Sequence, residues 1–567
     1  MRTRFISGLP LAAVLLSIIA IPSWASTQPY GPNAPADPAM GAPGTATMHA
    51  DAASSDSTPL PGPGAQSVSV KKVGLKSACP SILTGTDDMP VAVCTKISNR
   101  TPYVHLLDPS TGESLVSKKL VRSKSSDLAG GIYSYLDPKN RLVLVNAAGY
   151  LLRIAHKQSP SGKWRLIVVR KHQIGYSNVV GIVPDYKGRV WFATATGNSP
   201  AAGAVVGYFN PKNRRTITRS LPAGEQVANS ISASPVGVAI ASTYGQYMFR
   251  AAPKNRIVQL WRKPYDRGPA RKPGQLSWGT GATPTFFGPK TGAEFLTITD
   301  NAAPQENLLV YRAKTGRLVC SVPILGTDNS GTENSPIGSG RNVFIASTYG
   351  YPYPKSATTG PSSPATAAFV GGMQRIKVKR GGKGCRPVWS NEVRSTAVPR
   401  LSLADGLIYT VSLTSNGRYK YTTIDPKNGV VQSSAKIGRA RFNTLQMVGT
   451  IASDQVLYQG TITGLVRVTP RGPTTTPGAA QKISVKVKAI KKRSKLQVEV
   501  NPNKASKNYK FKIQKKVRGK WRTVKVTYTK GRFDKRTVNL RKGEYRINVP
   551  KQHGLKATTS KAVRLKR

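Results

Sequence analysis

Two stretches decide how the chain is read. Asn229-Ser230 is followed by Ile240-Ala241-Ser242-Thr243-Tyr244-Gly245, and Asn334-Ser335 by Ile345-Ala346-Ser347-Thr348-Tyr349-Gly350. Eleven positions separate Asn from Ile in each, and the copies lie 105 positions apart. That distance is about twice a 50-residue unit, and periods of this size mark a repeat architecture. Aligned on the doubled segment, units begin near Gly131, Asn178, Asn229, Thr283, Asn334, Pro399 and Asn443. Each then supplies a short apolar run, such as Leu142-Val143-Leu144-Val145 or Val190-Trp191-Phe192-Ala193. Helical periodicity is almost absent. Tight turns follow at Asp108-Pro109-Ser110-Thr111-Gly112 and Asp425-Pro426-Lys427-Asn428-Gly429. There Pro presets φ and Gly or Asn takes the left-handed position.

Four short antiparallel strands repeated every ~40–55 residues describe propeller blades. The expected fold is all-β: a seven- or eight-bladed β-propeller over residues 67–472, then a small β-sandwich over 481–567. The last blade unit holds three strands and stops at a Pro/Thr-rich linker, 473–480. Val68-Ser69-Val70-Lys71-Lys72-Val73 is the candidate for its fourth strand, because pairing the two ends of the ring removes an open edge.

The strand–Asp-Pro-x-Thr-Gly–strand rhythm, with Trp261 and Trp389 late in two units, resembles the quinoprotein-type (PQQ-like) propeller repeat. The resemblance spans the blades only. Quinoprotein dehydrogenases hold PQQ with adjacent cysteines and a calcium ion. No adjacent cysteine pair exists here, so the resemblance implies the repeat without the quinone. The C-terminal stretch resembles basic immunoglobulin-like modules of secreted bacterial proteins. Its period-two alternation, as in Ile483-Ser484-Val485-Lys486-Val487-Lys488, means one buried and one wet face.

The first 25 residues read as a signal peptide: Arg2 and Arg4, an apolar run from Phe5 to Ile21, then Ser23-Trp24-Ala25 for cleavage. A secreted, extracellular or cell-wall-associated protein without a transmembrane segment is expected, and a monomer. Four cysteines suit that compartment. Their expected pairs are Cys79 with Cys94 and Cys320 with Cys385, although four cysteines allow three connectivities. Residues 26–66 are rich in Pro, Ala, Gly, Ser and Thr, and are expected to form a disordered leader.

The chain carries 85 basic and 24 acidic residues, net +61. Residues 481–567 hold 30 Lys and Arg against Glu499, Asp534 and Glu544. A surface of that sign attracts polyanions. Lys486, Lys488, Lys510 and Lys512 are the candidate contacts, and an anionic cell-wall polymer or acidic polysaccharide the candidate partner. Sequence-specific nucleic-acid recognition is not indicated, since no such motif occurs.

The start of a blade's first strand and the end of its second share one rim of the channel. That rim should gather Asn178, Asn229, Asn334 and Asn443 with Tyr244 and Tyr349 as ligand-binding residues. Asp300, Asn301 and Glu333 could hold calcium there, since hard cations take oxygen ligands. The same asparagines could instead cap backbone groups at the channel ends. No GxSxG, HExxH, Walker or EF-hand motif is present. His105, His156 and His172 are the histidines available as bases, and no catalytic constellation is visible. The sequence therefore points to a secreted propeller binding scaffold tethered to the envelope by its basic domain. The alternative is a calcium-dependent lactonase-like or quinoprotein-like enzyme at the rim.

Overall fold

The computed structural model describes residues 30–122, 132–197, 202–471, 484–490, 494–501, 508–530, 534–550, 552 and 557–566. The signal segment 1–25, the unit start at Gly131 and the linker 473–480 lie outside the described residues. Two compact units divide between Pro470 and Arg471. No helix among the described residues is long and apolar enough to cross a membrane.

In the first unit, eight antiparallel sheets follow one another among the described residues, seven of four strands and one with a fifth added. Their innermost strands are Ser77–Thr84 (blade 1), Ser134–Leu136 (blade 2), Val179–Pro184 (blade 3) and Ser232–Ser234 (blade 4), then Thr285–Phe287 (blade 5), Ile337–Ser339 (blade 6), Arg400–Ser402 (blade 7) and Gly449–Ala452 (blade 8). Inner strands touch in turn from blade 1 to blade 6, blades 6, 7 and 8 pack through shared apolar clusters, and the contact of blade 8 with blade 1 closes the ring. The blades are thus eight. Middle strands are covered on both faces by adjacent blades, so a run such as Val190–Thr194 is buried throughout. The outermost strands, such as Arg215–Ser220, are mostly exposed and polar.

Closure follows the sequence expectation. Val68–Gly74 pairs antiparallel with Gly464–Pro470, Val68 opposite Pro470 and Val73 opposite Leu465. Both disulfides form as expected: Cys79–Cys94 ties the first two strands of blade 1, and Cys320–Cys385 ties the outer strands of blades 5 and 6. The turns work as their residues imply. Asp108 accepts hydrogen bonds from the N–H groups of Ser110 (2.7 Å) and Thr111 (2.9 Å). Trp261 and Trp389 lock each outer strand to the next blade's turn. The Trp389 indole N–H donates to Pro426 O (3.0 Å), and its ring covers Gly429 so closely that a Cβ there would lie 2.6 Å from it.

The leader departs from expectation. Residues 30–66 are packed, and 44–58 fill the centre of the ring. The carbonyls of Thr45, Ala46, Ala52, Ala53, Ser55 and Asp56 accept from the N–H groups of Thr84, Leu136, Ala233, Phe286, Gly338 and Leu401. Blades 1, 2, 4, 5, 6 and 7 are all addressed in this way. Ser57–Thr58 then adds a parallel strand to blade 7 before the chain enters blade 8. The physical reason is size. Ala, Gly, Ser and Thr cannot build a core of their own, but they are thin enough to enter a channel, whose hydrogen bonds offset the ordering entropy.

The second unit is a sandwich of two sheets, one of Ser484–Ile490, Lys495–Asn501 and Lys535–Asn539, the other built around Lys510–Val517. Leu496, Val498 and Val538 from the first meet Phe511, Ile513, Tyr545 and Ile547 from the second. Lys486 and Lys488 lie on the first sheet and Lys510 and Lys512 on the second, all exposed. Since the inner faces pack together, the two lysine pairs point out from opposite faces. They form two patches.

Candidate functional site

A chamber of about 240 Å³ opens at one mouth of the propeller channel. Its floor is the tip of the threaded segment, Met48 and His49. Its roof comes from two long loops, 265–284 between blades 4 and 5 and 347–372 within blade 6, which contribute Leu276, Gly281, Tyr353, Pro354 and Ala357. The loops are knitted together. Thr359 N–H donates to Leu276 O (2.8 Å), Gly350 N–H to Pro273 O (2.9 Å), and Arg271 pairs with Ser362 in a parallel bridge. Ile132, Val398, Met447 and Val448 make much of the wall apolar.

The polar groups come from positions just ahead of first strands. Tyr133 (before blade 2) donates its hydroxyl to Asn229 Oδ1 at 2.9 Å; Asn229 (before blade 4) donates its amide to Glu333 Oε1 at 3.0 Å. Glu333 (before blade 6) also accepts from Leu276 N–H at 3.0 Å. Asn334 donates to Gln446 Oε1 (3.0 Å), ahead of blade 8. Burial pushes Glu333 up to about 7, against the opposing pull of the Leu276 N–H, the Asn229 amide and Arg271. Burial also pushes the Tyr353 phenol up, with Glu333, Tyr351 and Tyr133 beside it. The chamber thus offers an acid, two phenols and three amides within apolar walls.

Of the residues named from the sequence, Asn229, Asn334 and Glu333 line this chamber. The others do not. Asn178 caps its neighbouring strand, donating to Thr196 O (3.2 Å), and Asn443 accepts from the Tyr351 hydroxyl. The doubled segment explains the two tyrosines. Thr243 Oγ1 accepts from Gln226 N–H (3.1 Å) and Thr348 Oγ1 from Glu333 N–H (2.9 Å), so both copies pin the approach to a first strand. Tyr244 is left 42 % exposed under the Arg267 guanidinium, whereas Tyr349 is buried against Gly331.

Asp300 is occupied by its own turn, accepting from the N–H groups of Asn307 (2.6 Å) and Ala302 (3.2 Å). Asn301 anchors the roof by donating to Arg267 O (2.7 Å) and Ala270 O (2.9 Å). Among the described residues no three His, Cys, Asp or Glu side chains converge as a metal centre. Between Asn301 and the chamber lies a second buried network. Gln275 donates to Glu306 Oε1 (3.0 Å), with the Lys272 ammonium 3.8 Å from the same oxygen. His105 bonds Ser114 (2.9 Å) and His156 bonds Asp87 (2.7 Å), each within the blades.

The histidine that does reach the chamber is His49, together with Thr283 and Ser335. Position within the leader hid it. Tyr133, Tyr353 and Gln446 were hidden differently, since they sit on irregular stretches that carry no period.

Eight blades around such a chamber define a β-propeller protein. Solved propellers show likenesses of the fold alone. One is a streptogramin B lyase structure (10% identity, 71% of this chain and 97% of that one, TM-score 0.35). A putative 6-phosphogluconolactonase from Bacteroides fragilis gives 10% identity, 62% and 97% coverage and TM-score 0.33. The Dos1 propeller gives 8% identity, 73% and 95% coverage and TM-score 0.40. No family model and no curated protein matches the chain.

Proposed function

We propose that the protein is an exported propeller that binds one small, largely apolar molecule in the channel-mouth chamber and is held at an anionic envelope polymer by its basic C-terminal unit. The observation that carries the first half is the chamber itself, with its apolar walls and the Tyr133–Asn229–Glu333 chain of hydrogen bonds. At about 240 Å³ it falls below the ~300–1,000 Å³ usual for drug-sized ligands, so the ligand is small. Glu333, with its raised pKa of about 7, can donate to a carbonyl when protonated and accept from a hydroxyl when ionised.

The test is thermal stabilisation by a set of small amphipathic alcohols, amides and lactones. A ligand at a hundred times its Kd stabilises by about 2.7 kcal/mol. Ala357→Trp fills the chamber from the roof and should abolish that gain; an equal gain in this variant would sink the reading. The quinoprotein-like repeat and the immunoglobulin-like character of the C-terminal module belong to the same proposal, as does removal of residues 1–25 on export.

The tether rests on charge. With 30 basic side chains against three acids, both outer sheet faces attract polyanions over a salt-screened range. The full chain should be retained on purified cell-wall polymer and released by salt, and a chain ending at Pro470 should be retained less. Retention indifferent to salt would count against it.

A further inference from the structure

The threaded segment brings into the ring two ionisable groups that face each other. His49 Nδ1 lies 3.0 Å from Asp56 Oδ2 and 3.2 Å from Oδ1. Asp56 is fully buried and His49 nearly so. Ser335 Oγ donates to Asp56 Oδ2 at 2.6 Å, and lies 3.2 Å from His49 Nδ1. The Arg400 guanidinium, itself buried, is 3.8 Å from Asp56 Oδ1 and donates to Met48 O. Asp51, whose carboxylate holds Ser55 (2.5 Å), also lies near Asp56 and Arg400.

These contacts suit one tautomer of a neutral imidazole. A carboxylate only accepts, so Nδ1 donates its N–H to Asp56 and Nε2 keeps a lone pair. That lone pair faces Thr283 Oγ1, 3.3 Å away, and both residues line the chamber. Carboxylate, imidazole and hydroxyl therefore stand in the order that makes a hydroxyl nucleophilic, the carboxylate fixing the tautomer and favouring the imidazolium that forms. Thr283 comes from the approach to blade 5, whereas His49 and Asp56 come from the leader. The array exists only because the chain threads its own ring.

We propose that Asp56, His49 and Thr283 form an acyl-transfer site acting on a small carboxylic ester or lactone held in the chamber. Thr283 Oγ bonds to the carbonyl carbon while its proton passes to His49 Nε2. The ester C–O bond breaks with its electron pair on the departing oxygen, which takes that proton and leaves as an alcohol. Water, deprotonated in turn by Nε2, then cleaves the acyl–threonine bond, yielding a carboxylic acid and restoring Thr283. His49 and Thr283 are the catalytic residues; Asp56, Ser335 and Arg400 position them. The proposal rests on the chamber being a ligand site and adds a reaction to it.

The test needs no knowledge of the natural substrate. A short-chain alkyl fluorophosphonate incubated with the full-length protein forms a P–O bond to an activated hydroxyl, losing fluoride. Intact mass should show one adduct, mapped to the peptide holding Thr283 and absent in Thr283→Val. His49→Gln should slow the reaction ~100-fold or more. Asp56→Asn keeps the shape and removes the charge. It should slow labelling of a protein that still melts cooperatively, and Asp56→Glu, which restores a carboxylate, should recover part of the rate; a merely structural aspartate would leave the rate of the folded protein in place. Should Asp56→Asn fail to fold, the His49→Gln rate decides. An adduct on Ser335, an unchanged rate in His49→Gln, or no adduct in a protein that still takes up the amphipathic ligands overturns the acyl-transfer site and leaves the chamber standing. No labelling and no uptake together overturn both.

Discussion

Residues 44–58 and residues 510–528 are both poor in ordinary core-forming sequence, and they meet opposite fates. The first carries few charges and, Met48 apart, no long apolar chain, and it ends buried, with Asp51, Asp56 and His49 inside the ring. The second alternates lysine with apolar residues, burying Phe511 and Ile513 while Lys510, Lys512, Val526 and Tyr528 stay in solvent. Polarity alone therefore does not say which segments stay outside. Side-chain bulk does: a thin polar segment can be enclosed if every backbone group finds a partner, whereas a lysine-rich strand can bury one face only.

The comparison breaks first at the leader. Deleting residues 30–66 should remove cooperative melting of the propeller altogether, since six blades lose a hydrogen-bond partner at the axis. A deletion that melts like the full chain would show the segment to be a passenger. Next in size, Asp56→Ala leaves Arg400 and His49 buried without their partner and should destabilise by ~3–5 kcal/mol, measured by chemical denaturation.

The pH dependence comes third. Burial raises Glu333 to about 7 and Asp37 to about 7, and raises Glu306 as well. Acids with raised folded pKa bind protons more tightly when folded, so stability is greatest below the unfolded pKa and falls as pH climbs through the folded one. Melting temperature should decline from about pH 5 to 8, and Glu333→Gln should flatten part of that slope, on the order of 2 kcal/mol. A curve that rises over this window contradicts the assignment.

Smaller still is Gly429→Ala. Its φ of +78° and the overlying Trp389 ring should make a methyl cost ~1–3 kcal/mol. At the other end of the scale, replacing Lys510 and Lys512 by Gln should leave stability within about 0.5 kcal/mol, while lowering the salt needed to release the chain from an anionic polymer.

Much of the ring was legible. The doubled Asn-Ser and Ala-Ser-Thr-Tyr-Gly segments set the register of blades 4 and 6, and Val68–Val73 was readable as a closing strand because blade 8 stops one strand short. The chamber was half legible. Asn229, Asn334 and Glu333 recur at blade starts, where topology forces them to a common mouth. Asn178 and Asn443 recur as well, yet they turn to cap local backbone, and no rule of spacing separates those outcomes. Asp300 shares that ambiguity, being aimed at the N–H of Asn307 by a turn whose shape no residue announces. His49 was invisible for a different reason: a segment rich in Pro, Ala and Gly has no periodicity, and only the radius of the channel decides that it fits.

The closing strand dictates an order of events. Val68 must find Pro470, some four hundred residues downstream, so the Val68–Gly74 strand has nothing to pair with until the last blade exists. Closure of the ring therefore waits on a long-range pairing, which forms late and slowly. Until that pairing forms, blade 8 keeps an open edge.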